Sequence, residues 1–459
     1  MGRNRRAKDL PSRLCVITAL AALSVSACGT SIERNGISDT NLAQVAEPLK
    51  MSGVRFWADE VPTDPIAEIK RRTPHLPPIA KNARTAKGRP VVETLALSGG
   101  GADGAFGAGV LAGWTERGDR PEFEVVTGVS AGAIIAPFAF LGPSEDEDIR
   151  RIWTEYKAAD VATAQILPGL FGGQALTDTT PLVTLVAQYI DQEMLDRIAA
   201  EYNRGRILMV LTTNLDAQRP VVWNMGEIAR IGTPEALDLF RKVILASAAI
   251  PGAFPPVNIH VTANGKDYEE LHVDGGTTRE IFVLPVQAPF KAFDVLYPKP
   301  PIRKLYLVKN GKLTPEQNVV KQSTLPIAGR AIATLIKSQN WSELYRIYRM
   351  ATDDDADFNL MYVPAAFTQT TTELYDPVYQ KALYQEGLSA GRSGLWSKTP
   401  PGQTPVTAPH GVGPRTKPAN ETAPTAVAPP KTPPSAQSSA PSAQAPATES
   451  GPPADRRRR

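Results

Sequence analysis

Twice in close succession the chain passes from an apolar run through a glycine turn into a segment of small and apolar residues. The first passage runs from residues 91–97 through Ser98-Gly99-Gly100-Gly101-Ala102-Asp103-Gly104 into residues 104–114; the second runs from residues 123–127 through Gly128-Val129-Ser130-Ala131-Gly132 into residues 131–141. A mainly apolar run reads as a buried strand, and the spacing that follows it reads as a helix, so the repeated order predicts a layered α/β domain. The same punctuation recurs at residues 207–213, 242–249 and 304–308, which are expected to be further strands with helices between some of them. One hairpin is legible at residues 257–263 and 268–273, because the intervening Asn264-Gly265 favours the type I′ turn that matches strand twist. That hairpin delivers Asp274 at its end.

The glycines of the first turn leave the backbone uncovered at the start of a helix, where N–H groups of Gly99, Gly100 and Gly101 can converge on an anion. Gly99, Gly101 and Gly104 also fit the G-x-G-x-x-G of dinucleotide binders, which makes a nicotinamide or flavin enzyme an alternative. That alternative calls for an acidic residue at the end of the second strand; here Glu122 and Glu124 stand at its beginning, and Thr127-Gly128 closes it. In the second turn Gly128 and Gly132 permit the tight bend that raises the hydroxyl of Ser130 above a sheet edge. A small-residue turn that simply lets a helix pack closely is the plain alternative.

A nucleophilic serine needs a base, and the sequence has four histidines. His75 precedes the domain, His410 lies in the tail and His260 lies within the hairpin; His272, two residues before Asp274 and on the same strand face, is the one histidine to keep as a possible base. Asp274-Gly275-Gly276 offers a better candidate, since a carboxylate at a strand end followed by two glycines can approach a hydroxyl directly. Alone it would read as an ordinary Asp-Gly turn.

In this order the three motifs resemble the patatin-like phospholipases, whose pattern is a glycine-rich oxyanion loop, G-x-S-x-G, and a later D-G-G or D-G-A. The resemblance spans about residues 91–308. It extends to Ala246-Ser247-Ala248-Ala249-Ile250-Pro251-Gly252-Ala253-Phe254-Pro255-Pro256, and to Thr212-Thr213-Asn214-Leu215-Asp216 followed by Pro220-Val221-Val222. It implies a three-layer α/β/α sandwich with a mainly parallel central sheet. It further implies a serine acyl-ester hydrolase of lipase or phospholipase type, in which Ser130 attacks an acyl carbonyl, Asp274 accepts its proton and the loop glycines hold the oxyanion, with no metal and no organic cofactor. One departure is clear: the family's loop usually reads Asp-Gly-Gly-Gly-x-Arg or Lys-Gly, whereas this chain has Ser98 and Asp103. An acidic residue in place of the basic one is expected to repel phosphate. It also keeps open a catalytically inactive, lipid-binding envelope protein as a second reading.

Charge and composition bound the rest. The formal charge is +3, but both ends are basic and the body between them is weakly acidic, which excludes the electrostatic footprint of a nucleic-acid binder. With 21% charged residues the chain carries too much charge for a multispanning membrane protein. Arg3, Arg5, Arg6, Lys8 and Arg13 precede an uncharged run over residues 14–27 that is too short to span a bilayer, as in a signal peptide. Its end, Val25-Ser26-Ala27-Cys28, resembles the bacterial lipobox, which implies a lipidated Cys28 as the mature N-terminus and a membrane-anchored protein facing the periplasm. Of the 42 prolines about fifteen follow Lys398, in a segment with almost no large apolar residue that is expected to be disordered. The expected organisation is a signal peptide (1–27), a leader and linker (28–90), a hydrolase domain (91–398, motif core 91–308) and a Pro/Ala/Ser-rich tail (399–459).

Overall fold

The runs around the two glycine turns become neighbouring parallel strands of a ten-stranded sheet in the computed structural model, which describes residues 34–72, 75, 84–161, 163–164, 177–178, 180–284, 288–317, 319–371 and 375–402. Its strands are Arg55–Trp57 (β1), Thr85–Ala86 (β2), Arg89–Leu97 (β3), Val125–Val129 (β4), Ile207–Asn214 (β5), Arg219–Asn224 (β6), Val257–Ala263 (β7), Lys266–Asp274 (β8), Ile302–Lys312 (β9) and Asp357–Val363 (β10). They run in the order β1-β6-β5-β4-β3-β9-β10, with β8 beside both β5 and β7, and β2 beside β3. Strands β5, β4, β3, β9 and β10 are mutually parallel, and the remaining pairings are antiparallel. The central sheet is thus mixed and mostly parallel, with helices on both faces.

Alternation along the strands separates the layers. Leu95 and Leu97 of β3 and Tyr306 and Val308 of β9 join one apolar cluster, with the helices Gly104–Arg117 (α1), Ala131–Leu141 (α2), Asp146–Thr154 (α3), Gln192–Asn203 (α4), Met225–Ile231 (α5) and Pro234–Ser247 (α6). Ala96, Leu305 and Leu307 point the other way, into a second cluster with Leu344, Ile347 and Ala351 of the long helix Thr324–Asp353 (α7). Strands buried on both faces read as mainly apolar runs, and this is why residues 91–97 and 304–308 were legible.

The expectation of a strand at residues 242–249 is wrong: most of that run is the end of α6. Thr233 caps the helix by accepting the N–H of Ala236, and Pro234 occupies its first turn. The buried residues Ala236, Leu239, Phe240, Val243, Ile244 and Ser247 then recur at helical spacing. The hairpin forms as expected, and Asn264 and Gly265 both take positive φ, 49° and 76°. Residues 55–57, expected in the leader, pair with β6 as an edge strand.

A last helix, Pro377–Ser393 (α8), lies against α1 with the backbones nearly in contact. A Cβ placed on Gly109 would stand 2.1 Å from the carbonyl oxygen of Tyr384, and one on Gly391 would stand 2.2 Å from that of Val110, so only glycine fits at these crossings. No helix among the described residues is long and apolar enough to cross a membrane. Cys28 and the segment after Gly402 lie outside the described residues.

Candidate active site

Strand β5 sets the distance between the two chemically interesting segments. Val129, the last residue of β4, is registered with Leu211; Asp274, the last residue of β8, is registered with the next residue, Thr212. Because β8 takes up the place beside β5 that β4 vacates, the residue following β4 meets the end of β8. Ser130 donates its hydroxyl hydrogen to Asp274 Oδ2 over 2.6 Å, and both residues are buried. Ser130 has φ +53° and ψ −120°, a strained conformation for a residue with a side chain, and α2 begins immediately after it. The turn closes because Gly132 lies against the carbonyl of Leu97, where a Cβ would come within 2.3 Å.

The Asp274 carboxylate has few partners. Oδ1 accepts the N–H of Gly276 at 2.7 Å, while the Asp274 amide donates to Ala249. Burial pushes the carboxyl up to about 7, a rise that the bonds from Ser130 and Gly276 oppose and that the nearby charge of Glu280 reinforces. His272, the alternative base, is fully buried, with Nδ1 2.9 Å from Thr212 Oγ1 and Nε2 3.2 Å from Glu270 Oε2. Both ring nitrogens are thereby engaged away from Ser130, and burial lowers the affinity of the ring for a second proton. His260 is exposed on β7.

The glycine loop lies between β3 and α1. Of its three amides, that of Gly99 donates to the carbonyl of Glu280 at 2.9 Å, so Gly99 is removed from the set of anion donors expected from the sequence. The N–H groups of Gly100 and Gly101 have no acceptor among the described residues. Asn310 of β9 braces the loop: its amide donates to Ser98 Oγ, its side chain donates to the Ser98 carbonyl, and its Oδ1 accepts the N–H of Gly107, at 2.8, 2.8 and 3.0 Å. Asp103 does not stand as a free anion. Tyr379 of α8 donates its hydroxyl to Asp103 Oδ1 at 2.6 Å; burial pushes the carboxyl up to about 6, and Lys309 and Lys312 oppose that rise. Asp103 is thus held by Tyr379 and is not a free carboxylate beside the loop.

Four contributors escaped the sequence reading. Ser247, at the end of α6, accepts the N–H of Ser130 at 2.9 Å and donates to the Leu211 carbonyl at 2.7 Å, tying the turn to β5. Asn310 is the second, and Glu280 and Lys309 form a buried ion pair at 2.8 Å beside the loop. Only Ser247 had a signal, since it lies in the Ala246 to Pro256 run. Next to Ser247, a mainly apolar cleft of about 460 Å³ is lined by Leu182, Val183, Leu245, Ala248, Ala249 and Phe254, with Arg241, Lys242 and Asp238 also on its wall. Among the described residues no group of His, Cys, Asp and Glu could hold a metal ion.

Residues 95–286 match the family model described as patatin-like phospholipase, and the match includes the glycine loop, Ser130 and Asp274. Among solved structures, the chain is similar to VipD from Legionella pneumophila at 12% identity, covering 68% of this chain and 69% of that one with a TM-score of 0.32. No curated protein matches the chain in sequence.

Proposed function

Because residues 95–286 form a patatin-like phospholipase domain, of a family that hydrolyses lipid acyl esters, we propose that Ser130 and Asp274 are the nucleophile and base of a serine ester hydrolase. The observation that carries this reading is the 2.6 Å bond between the strained Ser130 and a buried carboxylate with raised proton affinity. As Ser130 Oγ attacks the acyl carbon, its proton passes to Asp274 Oδ2, and the carbonyl oxygen gathers negative charge. The amides of Gly100 and Gly101 supply hydrogen bonds to that oxygen. Collapse of the tetrahedral adduct expels the alcohol, which takes the proton from Asp274 and leaves Ser130 acylated. Water then gives a proton to Asp274 and attacks the acyl carbon; the second adduct releases the acid as Ser130 recovers its proton. An ordinary aspartate is too weak a base for this exchange near neutral pH, and a value of about 7 removes that difficulty.

The apolar cleft that begins at Ala248 and Ala249 suits an acyl chain, since the carbonyl of Ala249 holds Asp274 and Ser247 holds Ser130. We assign to Cys28, by its lipobox-like setting, a lipid anchor that keeps the enzyme at the periplasmic face of a bacterial membrane. Fluorophosphonate labelling with turnover of a short neutral ester tests the central reading. Wild-type protein should label at Ser130, and Ser130→Ala and Asp274→Asn should each lose about a thousandfold or more in kcat/KM while remaining folded. His272→Ala should retain kcat within a few-fold. A folded wild-type protein that neither labels nor turns over would favour the inactive, lipid-binding reading, and a His272→Ala loss equal to that of Ser130→Ala would reassign the base.

A further inference from the structure

Glu280 reaches the site by both its backbone and its side chain. Its carbonyl accepts the Gly99 amide at 2.9 Å. Its Cγ and the Cβ of Ser130 both lie 3.2 Å from the point where a Cβ on Gly99 would stand, so the two side chains flank that glycine closely. The carboxylate is buried, Oε1 is paired at 2.8 Å with the equally buried Nζ of Lys309, and Oε2 has no hydrogen-bond partner among the described residues. Lys309 precedes Asn310, the residue that braces Ser98. A buried ion pair gains little for stability over apolar side chains of similar shape, and an unbonded carboxylate oxygen in the interior adds cost. The place of the pair, against the glycine loop and across Gly99 from Ser130, gives that cost a use.

We propose that the Glu280–Lys309 pair is a positioning device for the Ser130–Asp274 site, bracing the glycine loop against Ser130 and setting a fixed anion near the Asp274 carboxylate. The proposal rests on the reading of Ser130 and Asp274 given above and adds to it what tunes the base. The groups facing the dyad are few. On β8 itself, His272 is occupied by Thr212 and Glu270; Arg279, next to Glu280, lies 3.9 Å from Glu343; from the glycine loop, Asp103 is bonded to Tyr379. Glu280 flanks Ser130 across Gly99, and its like charge adds to the burial that makes Asp274 hold a proton more strongly. Lys309 supplies the counter-charge that lets Glu280 remain in the interior, from β9, the strand paired with β3.

The test uses the full chain with Glu280→Gln, which keeps shape and removes charge, and with the double variant Glu280→Gln/Lys309→Met, which removes both charges and leaves no lysine without a partner. The readout is the pH dependence of Ser130 labelling by fluorophosphonate and of kcat/KM on a neutral short ester. Both variants should move the acid limb measurably downward, because the anion that adds to the effect of burial is gone, and should lower the plateau, because the base is weaker. Should the single variant fail to fold, the double variant decides. A fall in melting temperature or in rate with the acid limb unmoved, or moved upward, would overturn the proposal and leave the pair a structural one. Failure of the wild type to label at Ser130 would overturn the dyad reading, and this proposal with it; labelling with an unmoved limb overturns this proposal alone.

Discussion

Asp274 carries two opposed demands in one carboxyl group. Its value of about 7, against an ordinary one near 3.8, means that the folded state binds the proton more tightly than the unfolded chain. The stability that this group contributes is present in full below the unfolded value and is lost as pH rises through about 7, when a charge must be held in the interior without a cation of its own. On the proposed mechanism activity runs the other way, since only the ionised carboxylate could accept the Ser130 proton. We therefore expect kcat/KM to fall as pH drops below about 7. Asp274→Asn should melt close to wild type at pH about 3 and a few degrees above it at pH about 8. Thermal melts at the two pH values check the stability half, and an Asn variant with no gain at the higher pH contradicts it. Strain at Ser130 belongs to the same account: a residue with φ +53° costs about 1–3 kcal/mol, sustained by the bonds from Ser247 and α2 around it.

At the level of elements, α1 and α8 depend on each other through glycine. Gly109 and Gly113 of α1 meet the backbone of α8 at Tyr384 and Leu388, and Gly387 and Gly391 of α8 meet that of α1 at Phe106 and Val110. Gly109→Val should cost on the order of 3 kcal/mol, because a side chain there forces the helices apart. Denaturant unfolding measures this, and a loss below about 1 kcal/mol would mean that the crossing yields easily. The turns at Gly99 and Ser130 and the end of the hairpin were legible in the sequence because each is a local pattern, in which a strand, a bend and a helix leave their marks within a few residues. Residues 242–249 misled because a short apolar run does not declare its period, and the start signal at Thr233-Pro234 lay well upstream. Asn310, Glu280 and Lys309 were illegible for a different reason. What gives them their place is the pairing of β9 with β3 and the return of the chain after β8, and such long-range pairing leaves no local trace. The departure at Asp103 was visible, but Tyr379, which occupies its carboxylate, lies 276 residues away.

For the molecule as a whole, the same ordering separates the anchor proposed at Cys28 from the candidate site. Cys28 precedes the first described residue, and every contact named for the site comes from residues after it. Cys28→Ser is expected to move the protein from the membrane fraction to the soluble one, or to block its maturation, with turnover on a soluble ester unchanged. Intact mass of the native protein decides whether an acylated Cys28 begins the mature chain; three acyl chains, at about 0.8 kcal/mol per buried CH₂, would hold it firmly where a single one would exchange. The tie between the glycine loop and the later strands has a consequence in time. A chain is made from its N-terminus, so the loop emerges early, but the partner that braces Ser98 follows 212 residues later and the one that occupies Asp103 belongs to the last described helix. Until that helix arrives, α1 has no glycine-lined surface to settle on and Asp103 has no Tyr379 hydroxyl to accept. On the function proposed here, a half-made chain would lack the finished site, and competence to cut lipid would come only as the domain is completed.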